Sequence, residues 1–457
     1  MDAIRRFFKL EEKGTNIKTE VIAGITTFAT MAYILAVNPN VLSLAGIDGV
    51  TGLDAGAVFV ATALATVIGT VAMGLLANLP FAMAPGMGLN AFFAYTVVLV
   101  MGYTPQFALA AVLVEGVIFI ILSKTGIRTK LFNAIPLTLK YAVGAGIGLF
   151  IIFIGLQNAG VAVGGPTLVE MGNLRSAGPA IALIGVVITI VLLVRKIKGA
   201  LLIGILITWI LGIIAQLAGW YHVDAAAGAY SLLPSAVVSA PPSLSATFGL
   251  CFKGLAEVFA DSKSILSFLS VMVTFLFVDI FDTMGTLAGV ASKARMLNEK
   301  GELEKSDQAL FADAIGTTVG AILGTSTVTT YIESAAGVQE GGRSGLTAIV
   351  TSIFFLLSLF LSPIFLTIPS FATAAALVVV GVLMIEPIRS IKFESLEELI
   401  PLGMTIIAMP VFYSISHGLA FGMISYVIVK AAVGKIKEVS LLTWILAAIF
   451  LLQLIFA

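Results

Sequence analysis

A few acidic side chains occur in stretches of the sequence that are otherwise apolar. Asp279 and Asp282 stand in TFLFVDIFDTMGTLAGVA, Asp313 in ALFADAIGTT and Glu333 in TTYIESAAG. Asp279 and Asp282 are three residues apart, so on a helix they share one face. Ionisable groups in membrane-type segments are costly and usually functional, so these acids are the first candidates for chemistry.

Carboxyl groups in such a setting could bind a flat solute and carry protons. A carboxylate accepts two hydrogen bonds and can clamp an edge that presents adjacent N–H groups, as guanine and hypoxanthine do. We therefore predict Asp282 and Glu333 as a substrate-binding pair. A carboxyl that takes up a proton on one side of a membrane and releases it on the other would couple the two fluxes.

Structural roles are the alternative for each acid. Asp282 and Glu333 could hydrogen-bond between packed helices, and Asp279 could pair with a neighbouring helix. Asp313 could bond to interrupted backbone nearby. The candidate proton-coupling residues, kept beside these alternatives, are Asp279, Asp282, Glu333 and Asp313.

The apolar stretches dominate the composition of the chain. Of its 457 residues, 59% are hydrophobic and 11% are charged, whereas a soluble domain carries about twice that charged fraction. Lipid is therefore the solvent for most of the chain, which predicts an all-α polytopic membrane protein. The net charge of zero gives no basic field for nucleic acid, and the single Cys251 excludes an intramolecular disulfide.

Fourteen apolar segments are predicted to cross the membrane, since a helix needs about 20 apolar residues to do so. They are residues 19–40, 55–79, 81–100, 105–123, 135–157, 178–196, 199–219, 264–292, 307–325, 326–338, 344–367, 370–388, 398–415 and 417–434. A further apolar helix is predicted at 440–457, which either crosses again or lies against the bundle.

Lys and Arg are unevenly distributed between the two sides of these segments. If residues 1–18 form a cytoplasmic N-terminal segment, 22 of the 25 Lys and Arg lie on the inner side. Only Arg175, Lys253 and Lys263 lie on the outer side. This asymmetry follows the positive-inside rule and predicts a cytoplasmic N-terminus.

Two segments, each third in a set of seven, do not fit a continuous helix. Residues 81–93 contain Pro85, Gly86 and Gly88, and residues 324–338 are rich in Thr and Ser. Irregular backbone at membrane depth is tolerated only where protein buries it or it lines a cavity. Because seven is odd, two such sets have opposite orientations, and inverted repeats with interrupted segments are typical of transporters with a site near the midplane.

Residues that flank the interrupted segments complete the candidate site. Asn90 could contact a substrate, cap the half-helix that follows, or do both. Phe28, Phe92 and Tyr331 are placed to stack on a flat base.

The remaining polar residues carry weaker signals. Glu115 stands alone in its segment and either pairs with Lys140 or has a functional role. His222 and His417 fall in predicted outer loops, so neither is expected to relay protons. The sequence contains no metal-ligand spacing, nucleophile motif or phosphate loop, so we predict no metal, no cofactor and no enzymatic activity.

Three of these stretches resemble signature segments of a known family. APGMGLNAFFAY, FVDIFDTMGTLAGV and TTYIESAAGV are similar to those of the AzgA-like purine permeases. These permeases are a branch of the nucleobase–ascorbate transporter superfamily, which includes uracil permeases. The likeness covers about residues 14–437, with the motifs in the correct order. The resemblance places the family's binding residues on Asp282, Glu333 and Asn90, with Asp279 as a further acid.

The resemblance also implies a fold, that of the uracil permeases, with two inverted seven-segment repeats. A core domain would comprise 19–123 and 264–367, and a gate domain 135–219 and 370–434, with an extracytoplasmic loop at 220–263. Segments 3 and 10 would each hold a short strand followed by a half-helix. The resemblance also suggests a homodimer with the gate domain as the contact surface.

The implied function is proton-coupled uptake of purine bases by alternating access across the plasma membrane, the inner membrane in bacteria. The uracil branch has a His one turn after Asp282, where this chain has Thr286, which favours the purine branch and makes Thr286 a further candidate for substrate binding. Transport of uracil or xanthine is the alternative, and a membrane channel is a more distant one. The sequence leaves open which of guanine, hypoxanthine and adenine is preferred.

Overall fold

A computed structural model describes residues 2–44, 47, 49–125, 137–166, 168–222, 232–260, 262–293, 296, 303–390 and 395–456. Residues 223–231 and 261 of the predicted outer loop lie outside this set, as do residues 135–136 of the predicted fifth segment. Over the described ranges the chain is mostly helical, with two small antiparallel sheets of two strands each.

The helices of the first half alternate with short connections. They are α1 (Asp2–Phe7), α2 (Ile17–Met31), α3 (Ile34–Ser43), α4 (Ala55–Ala72), α5 (Met87–Ala91), α6 (Pro105–Thr125), α7 (Leu137–Asn158), α8 (Ala177–Val194) and α9 (Ala200–Leu217). Stretches of π-helix at Met73–Ala77 and Phe92–Val100 extend α4 and α5.

The second half has a similar sequence of helices. They are α10 (Leu250–Ala260), α11 (Ser262–Lys293), α12 (Ser306–Leu323), α13 (Ser334–Gln339), α14 (Gly345–Ser358), α15 (Ser362–Phe365), α16 (Ser370–Ile385), α17 (Leu396–Val411), α18 (Ile415–Ala432) and α19 (Leu441–Phe456). Single 3₁₀ turns occur at Leu359–Leu361, Glu386–Ser390 and Ile436–Glu438.

Nine helical stretches of the described residues are long and apolar enough to cross a membrane. They are Ile17–Ser43, Ala55–Ala77, Pro105–Ser123, Thr138–Asn158, Ala177–Val194, Ala200–Leu217, Ile265–Ala291, Gly345–Phe365 and Ile415–Ala432. Shorter apolar helices cover Met87–Val100, Ser370–Ile385 and Leu441–Leu452. The chain is therefore a polytopic helical membrane protein.

Each of the two interrupted segments contains a short strand that is followed by a short helix. Strand β1 (Met83–Pro85) pairs antiparallel with β4 (Val328–Thr330), with Ala84 opposite Thr329. All six of these residues are buried. Since buried backbone polar groups need partners, two short strands from distant parts of the chain satisfy each other inside the bundle.

The second sheet is a hairpin. Strands β2 (Ala162–Gly165) and β3 (Leu168–Met171) pair antiparallel between α7 and α8. Leu168 and Met171 are largely exposed. This hairpin therefore differs from the buried strand pair, and the candidate site residues are not on it.

The helices pack in two groups. Helices α2, α4, α6, α11, α12 and α14 contact one another, with α4 and α6 both against α12 and α14 against α2 and α4. Helices α7, α8, α9, α16, α17 and α18 form the other set, with α7 against α16 and α17. Helix α19 packs on α18 and α11.

The position of His417 differs from the sequence prediction. His417 lies in the first turn of α18 and not in a loop, because Ser414 caps that helix by accepting a hydrogen bond from the His417 N–H at 3.3 Å. The side chain of His417 is partly buried.

Candidate functional site

The paired strands bring the two half-helices to one place in the bundle. The Gly86 N–H donates to the Thr327 carbonyl at 3.0 Å, and the Tyr331 N–H donates to the Ala82 carbonyl at 3.0 Å, which extends the pairing beyond the strands. Helix α5 begins after Gly86, and α13 begins after Glu333. Both helix N-termini, which carry partial positive charge, therefore start from the strand pair.

Asp282 lies against this strand pair. Its Oδ2 accepts a hydrogen bond from the Thr329 hydroxyl at 3.1 Å. A Cβ atom added to Gly86 would lie 3.1 Å from the same oxygen and 2.9 Å from Thr329 Oγ1. The glycine thus lets the backbone of the first interrupted segment approach a carboxyl group that comes from α11.

Glu333 occupies the position just before α13. Its Oε1 accepts a hydrogen bond from the Tyr33 hydroxyl at 2.8 Å, and its backbone carbonyl accepts one from Thr30 at 3.4 Å. Tyr33 is 1% exposed and lies at the break between α2 and α3. A hydrogen bond to a carboxylate is short and directional, so Tyr33 fixes the orientation of the acid.

The two acids belong to one site. Asp282 and Glu333 are close enough for their charges to interact, and Asp282 also acts on Tyr33 and Tyr331. Both acids are partly exposed, and beside them Ile332 is 49% exposed. Neither acidic residue is therefore completely enclosed by the protein.

Asn90 and Phe92 are buried next to this site. Asn90 is fully buried, and its Oδ1 accepts a hydrogen bond from the Ser326 hydroxyl, just before β4. The alternative role as a helix cap is wrong, because Gly86 takes the N-cap position and no side chain caps α5. Phe92 packs edge to face on Phe275, with ring centroids 4.7 Å apart.

The other predicted aromatic residues have partners within the protein. Phe28 packs against Phe354 and Phe355 of α14, with ring centroids 5.5 and 5.1 Å away. The Tyr331 hydroxyl donates to the Pro85 carbonyl at 2.5 Å. Tyr331 thus joins the second interrupted segment to the first, and it stays close to both acids.

Asp279 and Asp313 lie deeper than the site. Both are fully buried, and the Thr283 hydroxyl oxygen lies 2.9 Å from Oδ1 of each. Thr286 lies one turn beyond Asp282 on α11 and is 9% exposed. Glu115 is fully buried and accepts from the Thr327 hydroxyl at 2.8 Å, so a further acid reaches the second interrupted segment.

Tyr33 and Thr283 are among the residues of this network that were not predicted from the sequence. Tyr33 and Thr283 hold the acids, and their partners lie far away in the chain or on another helix. The available sequence signal for Thr283 was its place directly after Asp282 and one helical turn after Asp279 in DIFDTM. Within the described ranges, no group of three or more His, Cys, Asp or Glu could hold a metal ion.

Comparisons with known proteins match this architecture. A family model described as Permease family matches residues 18–421. The chain is 44% identical to the guanine/hypoxanthine permease PbuG of Bacillus subtilis (strain 168) over 457 residues, covering 99% of this chain and 100% of that protein. It is 41% identical to the adenine permease AdeP of Escherichia coli (strain K12) over 454 residues, covering 99% of this chain and 96% of that protein.

A solved structure shares the fold at low identity. The transmembrane domain of a cyanobacterium bicarbonate transporter, BicA, aligns with a TM-score of 0.64 at 17% identity. The alignment covers 88% of this chain and 97% of that one. Identity this low supports a shared fold but does not indicate which solute is transported. The side chains of the site must determine what is bound.

Proposed function

Because the chain belongs to this Permease family, among the nucleobase–ascorbate transporters, we propose that it takes up purine nucleobases together with protons. Like these relatives, it is a permease and not an enzyme. Its apolar helices make it a multi-pass membrane protein. We place it in the plasma membrane, the inner membrane in bacteria, with the N-terminus inside, because Lys and Arg concentrate on that side.

The observation that carries the proposal is the position of Asp282 and Glu333 beside the paired strands. Each carboxylate has more acceptor capacity than its one hydroxyl partner, Thr329 or Tyr33, uses. Adjacent N–H groups on a purine edge match that capacity. The N–H groups at the start of α5 suit the acceptor atoms of the same base.

The relatives named above favour purines as the substrate class. PbuG is a guanine/hypoxanthine permease and AdeP is an adenine permease. Their identities to this chain, 44% and 41%, are too similar to choose between the two substrate groups. We therefore propose purine bases as a class.

Proton coupling is assigned to the acids in and behind this site. The four candidates are Asp279, Asp282, Glu333 and Asp313. A carboxyl group that is neutral in one state and charged in another changes how well it accepts a hydrogen bond from the substrate. Purine binding and proton binding would then depend on each other.

The transport cycle is proposed as alternating access. Residues 19–123 and 264–367 would form a core domain that carries the base, and 135–219 and 370–434 a gate domain. The two packing groups of helices support this division. Fourteen segments in two inverted repeats, and a homodimer through the gate domain, belong to the same proposal.

Uptake in cells that lack their own purine permeases tests the function. Cells that express the protein should accumulate labelled guanine, hypoxanthine or adenine, and a protonophore should abolish the accumulation. An excess of uracil or xanthine should compete poorly. If uracil or xanthine is the accumulated solute instead, the purine assignment is wrong. If the flux never exceeds equilibration, the proposed coupling to protons is wrong, as for a channel.

A further inference from the structure

A second acidic cluster lies behind the substrate acids. The Thr283 Oγ1 atom is 2.9 Å from Asp279 Oδ1 and 2.9 Å from Asp313 Oδ1. All three side chains are fully buried. Asp279 and Thr283 are one turn apart on α11, and Asp313 is on α12, so a single hydroxyl joins acids from two helices.

The number of protons in this cluster is constrained by its chemistry. A threonine hydroxyl has one proton to donate. Both oxygen–oxygen distances are in the hydrogen-bond range, so when Thr283 donates to one carboxylate, the other contact needs a proton from the second carboxyl. With both acids ionised, one contact would lack a proton, and two like charges would share a buried site. The geometry therefore fits one carboxylic acid, one hydroxyl and one carboxylate.

We propose that Asp279, Thr283 and Asp313 form a proton-sharing site, separate from the substrate clamp, and that the coupling proton is carried there. Thr283 is a positioning residue in this scheme, because it acts through the two acids and not on the substrate. The inference rests on the proposed function, since it divides the four candidate acids into two that bind the base and two that hold the proton.

The transfer within the site balances without any co-reactant. The protonated acid donates its proton to Thr283 Oγ1 as the Thr283 hydroxyl gives its own proton to the carboxylate. The hydroxyl keeps one proton throughout, and the charge moves from one Asp to the other. Arrival of a proton from outside fills the site, and its release inside leaves both carboxyl groups ionised and the site poised to refill.

The site is connected to the substrate clamp by short contacts. One turn beyond Asp313, the Thr317 hydroxyl donates to the Val328 carbonyl of β4 at 3.0 Å. The next residue of that strand, Thr329, donates to Asp282. A shift of α12 on proton binding would therefore reach the carboxyl that faces the base.

Other acids near the site have different partners. Glu115 of α6 is hydrogen-bonded to Thr327, and Glu333 to Tyr33. Helix α10, which carries Lys253 and Glu257, also packs against α12. Helix α4 and strands β1 and β4 pack there too, and they carry no titratable side chain over Ala55–Ala72, Met83–Pro85 and Val328–Thr330. The hydroxyl of Thr283 contacts both Asp279 and Asp313, so its removal tests the proposed proton site directly.

The test is Thr283→Val, with Thr283→Ser as the matched control. The purified full-length protein is reconstituted into liposomes, and two quantities are measured: exchange of labelled hypoxanthine between equal concentrations, and accumulation driven by a pH gradient. Valine keeps the shape and removes the hydroxyl, so exchange should stay within about threefold of the wild type while gradient-driven accumulation falls at least about tenfold. Serine should retain both.

A second variant guards against loss of folding in the first. Asp313→Asn imitates a permanently protonated acid, so it should also exchange hypoxanthine without accumulating it. If Thr283→Val or Asp313→Asn accumulates hypoxanthine as the wild type does, the proton-sharing site is wrong. If Thr283→Ser loses coupling too, the hydroxyl is not what matters, and the inference is also wrong. A wild-type protein that exchanges no purine would instead contradict the proposed function.

Discussion

The two interrupted segments share a backbone plan but differ in chemistry. Each has a buried three-residue strand and a short helix, and the strands pair with each other. The first segment contributes Pro85, Gly86 and Asn90 and no acid, and it runs on as π-helix to Val100. The second contributes hydroxyl groups and Glu333, and α13 ends after six residues.

The difference suggests a division of labour. The first segment provides close backbone approach, because Gly86 leaves room for Asp282 and Thr329. The second provides charge, and its acid is held by Tyr33 from a third part of the chain. Substitutions in the second segment should therefore change substrate binding by removing hydrogen bonds. Substitutions in the first segment should change it by steric crowding.

The largest effect is expected for Glu333→Gln. An amide cannot accept as a carboxylate does, and loss of a charge-assisted pair costs about 3 kcal/mol, so purine uptake should fall by about 100-fold or more. Uptake and the amount of protein in the membrane are measured together. Glu340→Gln, at the other end of α13, is the control and should transport normally. Normal uptake by Glu333→Gln would show that transport does not need the charge of Glu333.

Gly86→Ala tests the spatial role of the first segment. The new Cβ would lie 2.9 Å from Thr329 Oγ1 and 3.1 Å from Asp282 Oδ2, so those side chains must move apart. Uptake should fall by roughly tenfold, the effect of about 1.4 kcal/mol on transport. Gly178→Ala is the matched control, because its Cβ would meet nothing within 4 Å. Equal uptake by both alanine variants would contradict the spatial role.

Tyr33→Phe tests how the acid of the second segment is held. The ring stays and the 2.8 Å hydrogen bond to Glu333 is lost. A hydrogen bond to a charged group contributes about 1.5 kcal/mol or more, so the KM for the purine should rise by about tenfold with little change in protein amount. An unchanged KM would show that Glu333 is oriented without Tyr33.

Tyr331→Phe should have the smallest effect of the four. It removes a hydrogen bond between two neutral groups, from the Tyr331 hydroxyl to the Pro85 carbonyl. Such a bond contributes about 1 kcal/mol, so the KM should rise by no more than about fivefold. Thermal unfolding of the purified protein measures the structural part of the loss. A loss as large as that of Glu333→Gln would instead place the Tyr331 hydroxyl on the substrate.

Some of this arrangement follows from the sequence and some does not. Pro85 and Gly86 in one apolar stretch, and Thr and Ser around Val328 in another, predict interrupted helices, because these residues disrupt a continuous apolar helix. The acids in apolar stretches also stand out, because an ionisable group is costly in lipid. The family resemblance is confirmed by the matching family model and relatives.

The partners of those residues depend on how distant helices pack. Tyr33 and Glu333 are 300 residues apart, and Ser326 and Asn90 are 236 apart. Neither pairing has a local signal, because a tyrosine or serine in a membrane helix is common. The capping role predicted for Asn90 was wrong for a local reason: Gly86 starts the helix, four residues earlier.

Accumulation of a labelled purine in liposomes that contain only the purified protein tests the central claim most directly. An inward proton gradient should drive hypoxanthine, guanine or adenine well above its outside concentration, and Glu333→Gln liposomes should show none. Proton-coupled purine uptake would be contradicted if no purine accumulates, or if the wild type accumulates purine equally with and without the gradient.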